Sequence, residues 1–204
     1  ITKNNLFVNY FDKNTYDKIR SLEKDVVNHT DLWYDSTYDD FIRILEDNKL
    51  EKGQKGYYGP DDFLIASSFA FSWLARIPRV YENDNFRFPN ISVYHSEYFN
   101  KIDKREFNEN NDFKIFTEFV EILDNSVVAV SKMFHFLSPN YFPIIDSKVV
   151  SSWNLWFPEH SLPKKISTKK YLFYAKLMRN WSSKTDLSLR SLEKALFKCN
   201  EELV

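Results

Sequence analysis

An all-α fold, with at most a minor β element, is what this sequence predicts, and three observations carry the prediction. Apolar residues recur at three- and four-residue intervals through most of the chain, the spacing of helices buried along one side. Only the short run Ile91-Ser92-Val93-Tyr94 reads as a strand. The 204 residues include 19 Phe, 12 Tyr and 5 Trp, and 43% of the chain is apolar, so one good core can be filled. No repeat and no Gly/Ser linker divides the chain, and a single domain over residues 1–204 is expected.

Taken in order, Asn14 or Thr15 caps a first helix that reaches Val27, with Tyr16, Ile19, Leu22 and Val26 on one face. A second helix spans 38–49 and places Phe41, Ile44 and Leu45 on one side. The third, 61–74, opens on Pro60-Asp61-Asp62 and is almost wholly apolar from Phe63 to Phe71, which marks it as the central buried helix. Residues 78–100 are irregular and aromatic, broken by Pro78 and Pro89. Helices resume at 112–123, 127–137, 147–156, 168–180 and 186–202.

All three glycines, Gly53, Gly56 and Gly59, fall in the window 52–60 together with Tyr57 and Tyr58. No Gly-Lys-Ser/Thr follows, so this is not a phosphate-binding loop. It reads either as a helix connector or as a loop that faces a ligand.

The net charge of −1 argues against an indiscriminate nucleic-acid binder, but the charge is unevenly spread. Residues 1–62 carry nine Lys/Arg against thirteen Asp/Glu. Residues 161–185 carry Lys164, Lys165, Lys169, Lys170, Lys176, Arg179 and Lys184 with no acid. That segment is either a solvated helix surface or a face for a polyanion. Cys199, the only cysteine, excludes an intrachain disulfide and a thiolate metal cluster and suits a reducing compartment. Residues 1–5 show no leader pattern and nowhere do eighteen apolar residues run together, so a cytoplasmic protein with no membrane partner is expected. His29, His95 and His160 lack metal-ligand spacing, and no Gly-x-Ser-x-Gly elbow occurs; no metal and no other cofactor is expected.

Chemistry concentrates in residues 127–157. The apolar helix 127–137 is interrupted by Ser131, Lys132 and His135, and the last two share one face. Pro139 and Pro143 bracket a turn, and Asp146 stands as N-cap of the helix beginning Ser147-Lys148-Val149. The eight residues 138–145 stretch to roughly 26 Å, enough for the chain to double back and set Asp146 beside Lys132. A free lysine, with a pKa near 10.4, is only about 0.04% neutral at pH 7, so a nucleophilic amine must be desolvated or placed beside another cation. The apolar flanks of Lys132 supply desolvation. A surface lysine, or one simply paired with Asp146, fits the same spacing, and His135 between two phenylalanines fits a structural role.

Ser131-Lys132 followed by Phe142-Pro143-Ile144-Ile145-Asp146 resembles the centre of the helix-hairpin-helix DNA glycosylases, in particular their 8-oxoguanine glycosylase-like branch. By that resemblance 128–132 corresponds to the family's hairpin, with Val128 and Val130 where its glycines stand, and 189–197 to a closing helix. The resemblance implies a compact multi-helix glycosylase fold. It assigns Lys132 as the amine nucleophile and Asp146 as the carboxylate that stabilises positive charge on the sugar.

Double-stranded DNA is then the implied partner, with a damaged or modified base flipped into a pocket. Tyr57, Tyr58, His135 and Trp153, with Trp156 beside them, are the candidate pocket residues. Ser147, Lys148, Lys164, Lys165, Lys169 and Lys170 are the candidates for the DNA backbone. The implied activity is base excision in DNA repair, with strand cleavage through a Schiff base. The alternatives are a nucleic-acid-binding module without catalysis and a protein-interaction module, for instance in phage defence.

Overall fold

In the computed structural model, residues 17, 32–51, 58–74, 95, 97–99 and 109–201 are described, apart from the side chains at 32–36, 49–51, 60, 109 and 199–201. Among the described residues the architecture is all-helical: α1 (Leu32–Glu51), α2 (Pro60–Ser72), α3 (Glu109–Ile122), α4 (Val127–Leu137), α5 (Ser147–Trp156), a 3-10 turn at Pro158–His160, α6 (Thr168–Lys184) and α7 (Leu189–Glu201). No helix there is long and apolar enough to cross a membrane. The helix expected at 14–27, the strand at 91–94 and Tyr57 lie outside the described residues.

Helix α4 is the axis of the packing, because its sequence is apolar nearly all round. From Ala129 to Leu137 every residue is buried. Helices α1, α2 and α3 pack against it, while α5 and α6 lie against α7 and α6 also meets α3. The expected central helix, 61–74, is present as α2, but it keeps Leu64 and Ser68 exposed and is a flank of the core. Its seat is beside α4, which is buried nearly all round.

Phe134 makes the point. Its ring is met edge-on by Phe99, Phe116, Phe119 and Phe142 at centroid distances of 4.9 to 5.1 Å, the geometry that sets the positive rim of one ring against the negative face of another. One continuous cluster of buried side chains runs from Leu45 to Leu196.

The link between α3 and α4 differs from expectation. Residues 128–132, assigned by resemblance to a hairpin, are helical throughout. The tight turn lies just before them, where Asp124 (φ 53°) and Asn125 (φ 51°) adopt left-handed conformations. Asp and Asn tolerate this region better than any other residue with a Cβ, which is why the turn is made without glycine. Ser126 then caps α4 by accepting from the Ala129 amide at 3.2 Å. Gly59, by contrast, caps α2 with φ −89°, a conformation open to any residue.

Candidate functional site

Asp146 is delivered to its position by a stretch of chain that has no regular structure and is almost fully buried. Residues 141–145 are all buried, and Pro143 prevents a helix there. Buried backbone groups outside helices need partners, and here side chains supply them. Four consecutive carbonyls are taken in turn: Tyr141 by Arg179 Nη1 (2.7 Å), Phe142 by His135 Nδ1 (2.7 Å), Pro143 by the Tyr171 hydroxyl and Ile144 by the Tyr174 hydroxyl (both 3.0 Å). The Ile144 amide donates to the Glu193 carboxylate, and the Ile145 amide to the Ser131 hydroxyl at 3.3 Å. Helices α4, α6 and α7 therefore converge on one short segment and fix it from three sides. At its end, Asp146 caps α5 by accepting from the Val149 amide at 3.0 Å.

Lys132 points into the interior formed by α4, α7 and the end of α2. It is 5% exposed, with its amine 5.7 Å from the centre of the Trp73 ring. Burial pushes its pKa below the ordinary lysine range. Asp146 is the strongest opposing influence, Arg190 adds to the depression and Glu193 opposes it. Among the described residues Lys132 is in salt-bridge contact with neither acid.

Arg190 lies with its guanidinium 4.5 Å from the Tyr38 ring centre and 5.5 Å from that of Trp73, so two cations share one aromatic wall. Glu193, 2% exposed, faces His135 Nδ1 at 3.2 Å and Arg190 Nη1 at 3.4 Å. His135 Nδ1 sees only acceptors, the Phe142 carbonyl and Glu193, and therefore carries a proton. Its Nε2 lies 2.9 Å from the Tyr38 hydroxyl, whose own ionisation burial suppresses.

On the other side of Asp146 the surface opens into a groove of about 630 Å³. Its floor is Val127, Val128, Ile145 and Val150, and its rim carries Ser126, Ser147, Lys164 and Lys165. The N-termini of α4 and α5 both end at this groove, and the positive ends of their helix dipoles give it a positive character that the lysines reinforce. The position of the lysines is itself built: Asn154 on α5 accepts from the Leu162 amide at 2.6 Å and donates to the Leu162 carbonyl at 2.8 Å, stapling the loop before α6 against the groove.

Of the residues singled out from sequence, Asp146, Ser147, Lys164 and Lys165 line the groove, and Lys132 sits behind its wall within electrostatic reach of Asp146. Lys169 and Lys170 are exposed on the first turn of α6 outside the groove lining. Lys148 reaches the other way, its amine 4.3 Å from the Phe197 ring centre. Tyr58 is buried and donates to the Leu137 carbonyl at 2.7 Å. Trp153 is fully buried, stacked on Trp181 at 5.4 Å with its indole N–H donated to the His160 carbonyl. Trp156 is half-buried against the core and, like Tyr58, His135 and Trp153, does not line the groove.

Sequence reasoning missed Glu193, Arg190, Tyr171 and Tyr174. A signal for Glu193 was present: it falls on the apolar face of α7 set by Leu189, Leu192 and Leu196, where an acid is out of place unless it is partnered. Among the described residues no group of three His, Cys, Asp or Glu side chains could hold a metal ion. Comparison with protein-family models, with curated proteins and with solved structures yields no match for this chain.

Proposed function

We propose that this chain is a DNA glycosylase with lyase capability, acting on a damaged or modified base through Lys132 and Asp146. The observation that carries the reading is a buried lysine, depressed in pKa, whose strongest carboxylate partner opens onto a basic groove. Such an amine is a better nucleophile at neutral pH than a solvated lysine, because a larger share of it is unprotonated.

The groove supplies what a nucleic-acid backbone requires. Two helix N-termini and Lys164 with Lys165 receive phosphates on one flank of Asp146. A nucleotide rotated out of the duplex brings its sugar toward Asp146, whose carboxylate stabilises the positive charge that develops as the bond to the base lengthens. The neutral amine of Lys132 forms a bond to C1′ as the base leaves with the bonding electron pair. Opening of the sugar ring then gives an imine, from which the 3′ phosphate is lost by elimination. The Ser131–Ile145 contact and the Glu193–Ile144 contact hold the amine-bearing helix and the carboxylate-bearing segment in register.

Borohydride reduction traps such an imine as a covalent protein–DNA complex. The expected result is trapping on at least one duplex carrying a damaged or modified base and none with Lys132→Gln. Wild-type protein that gives no complex across a panel of such bases sinks the lyase assignment.

A second reading rests on the burial of Lys132 behind the groove wall: a nucleic-acid-binding module on the same scaffold, without catalysis. It predicts salt-dependent DNA binding that survives Asp146→Asn with no release of base. Absence of DNA binding at low salt removes both readings and favours a protein partner.

A further inference from the structure

Glu193 lies on α7, far in sequence from Lys132 and Asp146, yet it touches the elements that carry both. Its carboxylate accepts from the Ile144 amide, two residues before Asp146, and faces His135, which sits on the Lys132 face of α4. Two N–H groups donate to it, from Ile144 and Arg190, and His135 Nδ1 lies 3.2 Å away. A carboxyl group 2% exposed needs such donors in place of its hydration. The charged groups around Lys132 come from three places: Asp146 from the segment before α5, and Arg190 and Glu193 from α7. Trp73 at the end of α2 and Tyr38 of α1 close the cluster, with no charge of their own at neutral pH.

Two cations and two anions thus share a poorly solvated volume, and the anions differ in kind. Asp146 is half-exposed on a groove where a ligand or solvent can screen it, whereas Glu193 is sealed.

We propose that Glu193 is a positioning residue for the Lys132–Asp146 pair, holding the segment that carries Asp146 through the Ile144 amide and setting a buried carboxylate against Arg190, which shares the Trp73 wall with Lys132. This rests on the reading of Lys132 as the working amine only for its consequence in catalysis; the electrostatic link is independent of DNA. Removing the charge of Glu193 therefore shifts Lys132 further toward its neutral form, a sign opposite to the general loss of function expected from damage to a purely structural contact.

The test is the titration of Lys132 in free, lysine-labelled full-length chain, followed by NMR and assigned with Lys132→Met, compared with Glu193→Gln. The amide oxygen of Gln still accepts from Ile144 but carries no charge. The expected result is a Lys132 titration moved to lower pH, with the fold retained by circular dichroism and the imine-trapping pH profile shifted in the same direction. A folded Glu193→Gln protein whose Lys132 titrates as in the wild type overturns the proposal.

Should that variant not fold, the wild-type protein supplies the measurement. The carboxyl carbon of Glu193 must respond over the pH range in which Lys132 titrates, because coupling between two sites is reciprocal. A Glu193 signal indifferent to that range overturns the proposal equally. The outcomes also separate from those of the proposed function. Lys132 that responds to Glu193 without any imine trapping retires the glycosylase and keeps the link; trapping with an indifferent Lys132 does the reverse.

Discussion

Lys132 and Phe134 stand two residues apart on one helix and are both shut away from water, yet their surroundings obey different rules. Around Phe134 the neighbours are Phe99, Phe116, Phe119 and Phe142, and stability follows from area removed from water and from ring geometry. Around Lys132, Ser131 and His135 the neighbours are Arg190, Glu193, Asp146 and the bare backbone of residues 141–146. There every group must find a partner, and the benefit of doing so is a fixed geometry more than a gain in stability.

The largest test of this contrast is on the aromatic side. Phe134→Ala leaves a void among four rings and is expected to destabilise the protein by about 3–5 kcal/mol in denaturant unfolding. A loss below about 1 kcal/mol would show that the aromatic cluster is not the centre of the core.

Tyr174→Phe keeps the ring but strips the donor from the buried Ile144 carbonyl, and an expected loss of about 1–3 kcal/mol follows from leaving that acceptor unpaired. Amide exchange at Ile144 and Ile145 should quicken with it, whereas Phe134→Ala should affect exchange throughout. If Tyr174→Phe is neutral, the clamp on residues 141–146 is looser than the hydrogen bonds suggest.

Asp146→Ala removes the cap of α5 for about 1 kcal/mol, while Asp146→Asn, still able to accept from Val149, should cost less. Thermal unfolding distinguishes the two, and equal losses would assign Asp146 no role as a cap.

Lys132→Met tests the polar side by pH. Because the folded-state pKa of Lys132 is depressed, the unfolded chain binds more protons between that value and the ordinary lysine pKa of about 10.4. Wild-type stability should therefore rise with pH through that window, and the Met variant should lack this rise. Unfolding curves of the two that stay parallel up to pH 10 would place the Lys132 amine in solvent.

The smallest stability effect belongs to the groove rim. Lys164→Gln and Lys165→Gln should change stability by less than about 0.5 kcal/mol. If the groove holds phosphates, each should lower the slope of log affinity against log salt by about one.

Most helices were legible because helical periodicity and capping are local. The helices 127–137 and 147–156 appear where the apolar spacing, the two prolines and Asp146 put them. The turn at Asp124 and Asn125 was less legible, since left-handed Asp and Asn leave no mark as plain as glycine. Trp153 carried a misleading signal: an aromatic after the capping aspartate can line a pocket or fill a core, and only the approach of Trp181 and Tyr174 makes it core.

By itself the sequence determined the all-helical class, Asp146 as the cap of a helix within chain reach of Lys132, and the basic character of residues 161–185, because each follows from spacing within a few turns of chain. Tertiary structure alone decided that Lys132 is buried, that Asp146 faces a groove and that Arg179, Tyr171, Tyr174 and Glu193 hold the segment between them. Those partners lie 28 to 49 residues from the backbone groups they satisfy. Nothing in local periodicity says which distant hydroxyl or carboxylate will meet a carbonyl or amide that a proline-broken segment leaves without a helical partner.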